Sequence, residues 1–167
     1  MKKMLINALL FQAGWFACVF AANQPWLLLV PVAALLLHFL WVSRWAAEGR
    51  LVVSVMLFGS AVDTFLLNLG VLDFGTDSRL LPGWLALQWA LLGTTLNHSL
   101  RWTASPWWRA SLFGAVGGSL SYLAGSKLAG VSFPLGQTPT LLLLALLWAG
   151  IFPLLHSQAQ MYRDKLR

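Results

Sequence analysis

Six apolar runs, each close to the length of a membrane span, take up almost the whole chain, and they constrain its fold more than any other feature. They lie at about 4–22, 25–43, 51–72, 81–100, 109–129 and 139–157. A hydrocarbon core ~30 Å thick is crossed by ~20 residues of α-helix. In that solvent the backbone must satisfy its own polar groups, which a helix does within one segment. The pattern predicts an all-α polytopic membrane protein, a six-transmembrane-helix bundle forming a single transmembrane domain over residues 1–167. Composition agrees: 59% of residues are hydrophobic and 10% are charged, against ~25% charged in an average soluble domain.

The links between the runs carry the charge. Lys2, Lys3, Arg44, Arg50, Arg101, Arg109, Arg163, Lys165 and Arg167 fall on one side of the threading, and Arg79 and Lys127 on the other. Basic loops stay inside, so this asymmetry predicts cytoplasmic N- and C-termini. The net charge of +6 therefore reads as membrane topology rather than as a nucleic-acid footprint, for which the chain has no basic domain. Lys2 and Lys3 before an apolar run resemble a signal peptide. No clean small-residue cleavage site follows, and the first run reads as an uncleaved helix. Cys18 is the single cysteine, which excludes an internal disulfide and a cysteine metal cluster. Tryptophans 41, 45, 102, 107 and 108 mark one interface and 26 and 84 the other. Trp15, Trp89 and Trp148 lie deeper and require an internal reason.

Two runs carry small residues at three- or four-residue spacing: Ala13, Ala17 and Ala21, and Gly114, Gly118, Ser121 and Gly125. Such stripes let helix backbones approach closely. The readings are packing within the chain or a homodimer face.

Polar side chains inside the apolar runs are the candidate functional residues. Asp63 is foremost, because an ionisable group in hydrocarbon is costly and calls for a functional reason. On a helix, Ser60, Asp63, Thr64 and Asn68 share a face. Gln12 lies on the first run, and Gln88 and Thr95 share a face of the fourth. Asp63 and Gln88 each lie thirteen residues from a basic residue at the inner end of their run, Arg50 and Arg101. Equal depth on antiparallel neighbours predicts a polar intramembrane cavity in which the two side chains pair. Asn97, His98 and Arg101 form a donor-rich group where the fourth run meets the interface, and they are expected to contact lipid headgroups. His38, His98 and His156 fall at inward ends of their runs, where imidazoles at similar depth can form a metal site or proton relay or serve as interfacial or capping residues; no paired ligand motif is present, and no metal and no cofactor are assigned. No nucleophile motif, phosphate loop or dinucleotide fingerprint occurs, and catalytic residues are not identifiable.

Three stretches carry a resemblance: Asn7 to Cys18 (NALLFQAGWFAC), the Asp63 region, and Gln88-Trp89 continuing to Thr94-Thr95-Leu96-Asn97-His98-Ser99-Leu100. Together they resemble an uncharacterised family of small polytopic bacterial inner-membrane proteins, a domain of unknown function. The resemblance implies a bacterial inner (cytoplasmic) membrane location and no established activity. Members are often encoded near enzymes that modify membrane fatty acids, which implies a lipid role without transferring a catalytic residue. The expected function is an accessory or enzyme in membrane-lipid modification. The alternative is a small-solute transporter or a substrate-binding membrane subunit of an importer. The partners expected are membrane lipid, with a membrane-protein partner or homodimer beside it, and no nucleic acid.

Overall fold

A computed structural model of the chain describes residues 1–164. Lys165 and Arg167, counted above on the basic side, lie outside the described residues. Six α-helices carry the fold: α1 (Lys2–Ala21), α2 (Leu29–Leu37), α3 (Trp45–Asn68), α4 (Gly83–Thr95), α5 (Trp107–Leu128) and α6 (Gln137–Asp164). A 3₁₀ turn at Pro25–Leu28 leads into α2, and a π turn at His38–Val42 ends it. Pro25 suits a helix start, where its missing N–H has no acceptor to lose. Among the described residues β pairing is limited to one isolated antiparallel bridge, Asp73 to Ser132.

Among the described residues, four segments are long and apolar enough to cross a membrane: Lys2–Ala21, Pro25–Val42, Trp45–Asn68 and Gln137–Asp164. Their outward faces fit that setting, with Leu9, Leu36, Leu57, Phe65, Leu142 and Leu146 each more than half exposed. A water-soluble monomer rarely shows so much contiguous apolar surface. These features mark a membrane protein. The fourth and fifth runs depart from the expected six equal spans. Helix α4 has 13 residues, which rise only ~20 Å. Helix α5 has 22 residues, but its glycines and serines dilute its apolarity in favour of close packing.

The chain links alternate between the two ends of the bundle. At one end, Asp73 and Ser132 exchange backbone hydrogen bonds at 3.0 and 2.9 Å. At the other, Lys3 Nζ donates to the Val42 carbonyl at 3.0 Å and Ser99 N–H donates to Asn7 Oδ1 at 3.2 Å. Helix α4 packs on α1, α2 and α3, α1 packs on α2, α5 packs along α6, and α6 joins the two groups through α3. Helices α1 and α5 touch at few points. The small-residue stripe of α5 serves this arrangement. A Cβ on Gly114 would stand 2.4 Å from the Trp148 carbonyl, and one on Gly118 would stand 2.2 Å from the Trp148 ring. Those two glycines are spent on packing against α6.

One boundary changes the functional reading. The sequence placed Arg44 to Arg50 in a polar link, whereas α3 begins at Trp45. Ala46, Ala47 and Glu48 are good helix formers, and an acidic side chain in a first turn is favoured by the helix dipole. Glu48 is therefore a helical residue, 7% exposed.

Candidate functional site

Two buried carboxylates organise the interior. Asp63 lies on α3 and is fully buried. Trp89 Nε1–H donates to its Oδ2 at 2.6 Å, and the Tyr122 hydroxyl donates to its Oδ1 in a short hydrogen bond. Gly59, one turn before Asp63, makes this geometry attainable: a Cβ there would lie 1.8 Å from the Trp89 ring. The indole rests on bare α3 backbone, and its N–H reaches the acid four residues on. On its other face Trp89 stacks on Trp148, with centroids 5.0 Å apart and planes 8° from parallel. Trp148 in turn lies against Gly118. Two indoles are thus held between two glycines, across α3, α4, α6 and α5.

This supplies the internal reason that Trp89 and Trp148 required, and it corrects the predicted pairing. The partners of Asp63 are Trp89 and Tyr122, and Gln88 turns to a different environment. Gln88 and Gln12 line a cavity of about 460 Å³ between α1, α4, α5 and α6. Most of the lining is apolar, with Phe11, Trp15, Trp84 and Phe152 prominent and the glycines of α5 forming one wall. Asp63 stands behind that wall, screened by Trp89 and Tyr122, both of which line it. The expected polar cavity around Asp63 and Gln88 is an aromatic cavity with few polar groups. Trp15 Nε1–H donates to Ser121 Oγ at 3.1 Å, bridging the gap where α1 and α5 otherwise stand apart.

The remaining polar residues of α3 go elsewhere. Thr64 Oγ1 accepts from Leu81 N–H at 3.3 Å, and Asn68 Nδ2 donates to the Thr64 and Arg79 carbonyls at 2.7 and 2.9 Å. Both tie α3 to the loop before α4. Ser60 is half-buried and outside the cavity lining. Thr95 is buried and donates to the Leu92 carbonyl at 2.6 Å.

The second carboxylate, Glu48, collects three nitrogen atoms. His38 Nε2 lies 3.1 Å from Oε2, and His98 Nε2 lies 3.0 and 3.1 Å from Oε1 and Oε2. Asn97 Nδ2 donates to Oε1 at 3.0 Å, and Arg163 donates to the side-chain oxygen Asn97 Oδ1. Asn97 and His98, expected at the headgroups, are instead turned inward onto Glu48. Arg101 remains exposed. Of the three histidines, His38 and His98 meet, with ring centroids 5.3 Å apart. His156 is held separately by Thr103 Oγ1 at 2.8 Å. Local backbone irregularity serves this cluster: His38 opens the π turn that ends α2, and His98 sits in the turn beyond α4. Single π turns in helices are frequent at functional sites. Sequence reasoning missed Glu48, and the signal available was Ala46-Ala47-Glu48 as a first helical turn.

No curated protein and no solved structure matches this chain. The model of a family described as a protein of unknown function, DUF2878, matches residues 4–154, and over that span, most of its length, the chain belongs to this family.

Proposed function

We propose that this chain is a multi-pass protein of the bacterial inner membrane, with both termini in the cytoplasm, that holds a lipid-type molecule for modification or hand-over. The carrying observation is the cavity of about 460 Å³ with its aromatic lining and few polar groups. Ligand pockets typically span ~300–1,000 Å³ and combine an apolar lining with a few polar groups that fix orientation. Gln12 and Gln88 are such groups here. The sparse contact between α1 and α5 offers an acyl chain a lateral way in from the bilayer. The proposed orientation rests on the nine basic residues assigned to one side against two on the other. The importer-subunit reading has less support, because only Ala22, Asn23 and Gln24 separate α1 from the turn before α2, too short a stretch to cover a substrate.

The test uses Gly125, a buried residue of the cavity wall whose added Cβ would meet nothing within 4 Å. Gly125→Leu projects a bulky side chain into the cavity from a position where its Cβ meets no neighbour. Mass spectrometry of the wild-type chain, purified in mild detergent, is expected to find a retained lipid-type molecule. The variant should keep its helical circular dichroism and lose that molecule. Equal retention by the two proteins would overturn the reading. Alkaline-phosphatase fusions after Asp77 and after Arg167 test the orientation, with activity expected only from the first.

A further inference from the structure

His38, Glu48 and His98 come from three separate parts of the chain, and their ligand atoms all lie within 4.8 Å of one another. We infer that this cluster is a binding site for a divalent transition-metal ion, with His38 Nε2, His98 Nε2 and the Glu48 carboxylate as its protein ligands. Metal bonds of ~2.0–2.2 Å in tetrahedral geometry put ligand atoms ~3.3–3.5 Å apart. The observed separations of 3.0 and 3.1 Å between each imidazole nitrogen and the carboxylate need only a few tenths of an ångström of spreading to admit the ion. Two imidazoles and one carboxylate form a borderline donor set, suited to zinc, cobalt or iron rather than to calcium or magnesium. Three protein ligands leave a coordination position open. Access lies on the His98 side, whose side chain is 17% exposed against 1% for His38 and 9% for Glu48.

The surrounding residues say how firmly the ion is held. Asn97 anchors Glu48 Oε1, the kind of outer contact that fixes a ligating carboxylate. Asn7 acts in the opposite sense. Its Oδ1 accepts from the Ser99 N–H and hydroxyl, and its Nδ2 donates to the Thr94 carbonyl at 3.1 Å, which fixes the orientation of the amide. The same Nδ2 faces His38 Nδ1 at 3.3 Å, so without metal the ring proton of His38 sits on Nε2 and points at Glu48. An ion on Nε2 moves that proton to Nδ1, where it opposes the amide N–H. Binding therefore works against Asn7, and the site is one that loads and unloads rather than one that keeps its ion permanently.

The experiment is a cobalt titration of the full chain in detergent after chelator treatment, followed by visible absorption and metal analysis. The expected result is saturable uptake of one Co²⁺ per chain, reversed by Zn²⁺. His98→Ala and Glu48→Gln should each weaken uptake at least ~10-fold, a loss typical of a damaged metal site, while His156→Ala should bind as wild type. Absence of saturable uptake by the wild type, or unchanged uptake by a folded His98→Ala protein, would overturn the assignment. X-ray absorption at the zinc edge of the loaded wild type needs no variant. Two imidazoles with oxygen support the site, and an all-oxygen or sulfur shell refutes it.

Discussion

Asp63 and Glu48 stand on the same helix, about 22 Å apart along its axis, and both are buried, yet they keep different company. Asp63 is met by an indole N–H and a phenol. The indole can only donate, and both aromatic rings are fixed by packing, so this acid is an acceptor with one arrangement open to it. Glu48 is met by two imidazoles and an amide. Imidazoles change tautomer, gain protons and bind metals, so the partners of this acid can exchange one state for another. A buried carboxylate is thus a constraint or a reactive centre according to what faces it. In this chain the acid most conspicuous in the sequence is the constraint.

The largest expected effect comes from removing the constraint. Asp63→Leu leaves the Trp89 N–H and the Tyr122 hydroxyl without their acceptor. A buried donor stranded in this way costs ~1–3 kcal/mol, so the pair is expected to destabilise the protein by roughly 2–6 kcal/mol. Asp63→Asn keeps an acceptor for Trp89 but leaves the Tyr122 hydroxyl proton without one, and should cost about 1–3 kcal/mol, less than Asp63→Leu. Denaturant or thermal unfolding in a single detergent measures both. Equal loss in the two variants would show that the charge of Asp63, rather than its hydrogen bonding, is what the fold needs.

The next effect probes the glycines that admit the indoles. Gly59→Ala places a methyl group 1.8 Å from Trp89 and must push the ring off α3, at a cost of ~1–3 kcal/mol for overpacking. Gly118→Ala meets Trp148 at 2.2 Å and should fall in the same range. Gly117 and Gly125 on the same helix have open space at the Cβ position, and Gly117→Ala should be neutral or slightly stabilising, given the helix propensity of alanine. Trp fluorescence and unfolding midpoints together should separate the two glycine classes. Comparable loss at Gly117 would remove the distinction between packing and cavity-lining glycines.

The contrast between the acids also explains what the sequence disclosed. Hydrocarbon-length runs, the cost of a carboxylate at depth and the need to account for deep tryptophans are one-dimensional signals, and Asp63, Trp89 and Trp148 followed from them. The partners did not follow. Depth matching favoured Gln88 over Trp89, because counting residues fixes height along a helix and leaves the facing side chain to the packing of Gly59. Glu48 was hidden by a boundary, since a charged residue among Arg44 and Arg50 reads as a link until a neighbouring turn brings histidines to it. His38 and His98 are sixty residues apart in the sequence, and no spacing rule connects them. The cavity was equally illegible: it lies where α1 and α5 touch at few points, and periodicity in a sequence registers contacts rather than gaps.

Glu48→Gln sharpens the comparison at a smaller scale. The amide keeps one acceptor oxygen for the nitrogen atoms that surround it, and the cluster is less sealed than that of Asp63, since His98 and Asn97 are only partly buried. The expected cost is about 1 kcal/mol, well below that of Asp63→Leu. A loss as large as that of Asp63→Leu would place the constraint at both ends of α3 and erase the difference between the two acids.

The smallest expected effect on stability belongs to Trp15→Phe. This change removes the hydrogen bond from Nε1 to Ser121 Oγ, 3.1 Å long, and retains most of the ring. Hydrogen bonds between helices in membranes average only ~0.6 kcal/mol, so the unfolding midpoint should barely move. The bond nevertheless joins α1 to α5, which touch at few points beside the cavity, and its loss removes a tether rather than a core contact. The variant should therefore release and rebind a fluorescent lipid-type probe faster than wild type while its stability stays within the error of measurement. Ser121→Ala, which deletes the same bond from the α5 side, should reproduce that acceleration. Unchanged exchange in both variants would place the entrance elsewhere on the bundle. Faster exchange only in Trp15→Phe would assign the effect to the shape of the ring rather than to the tether.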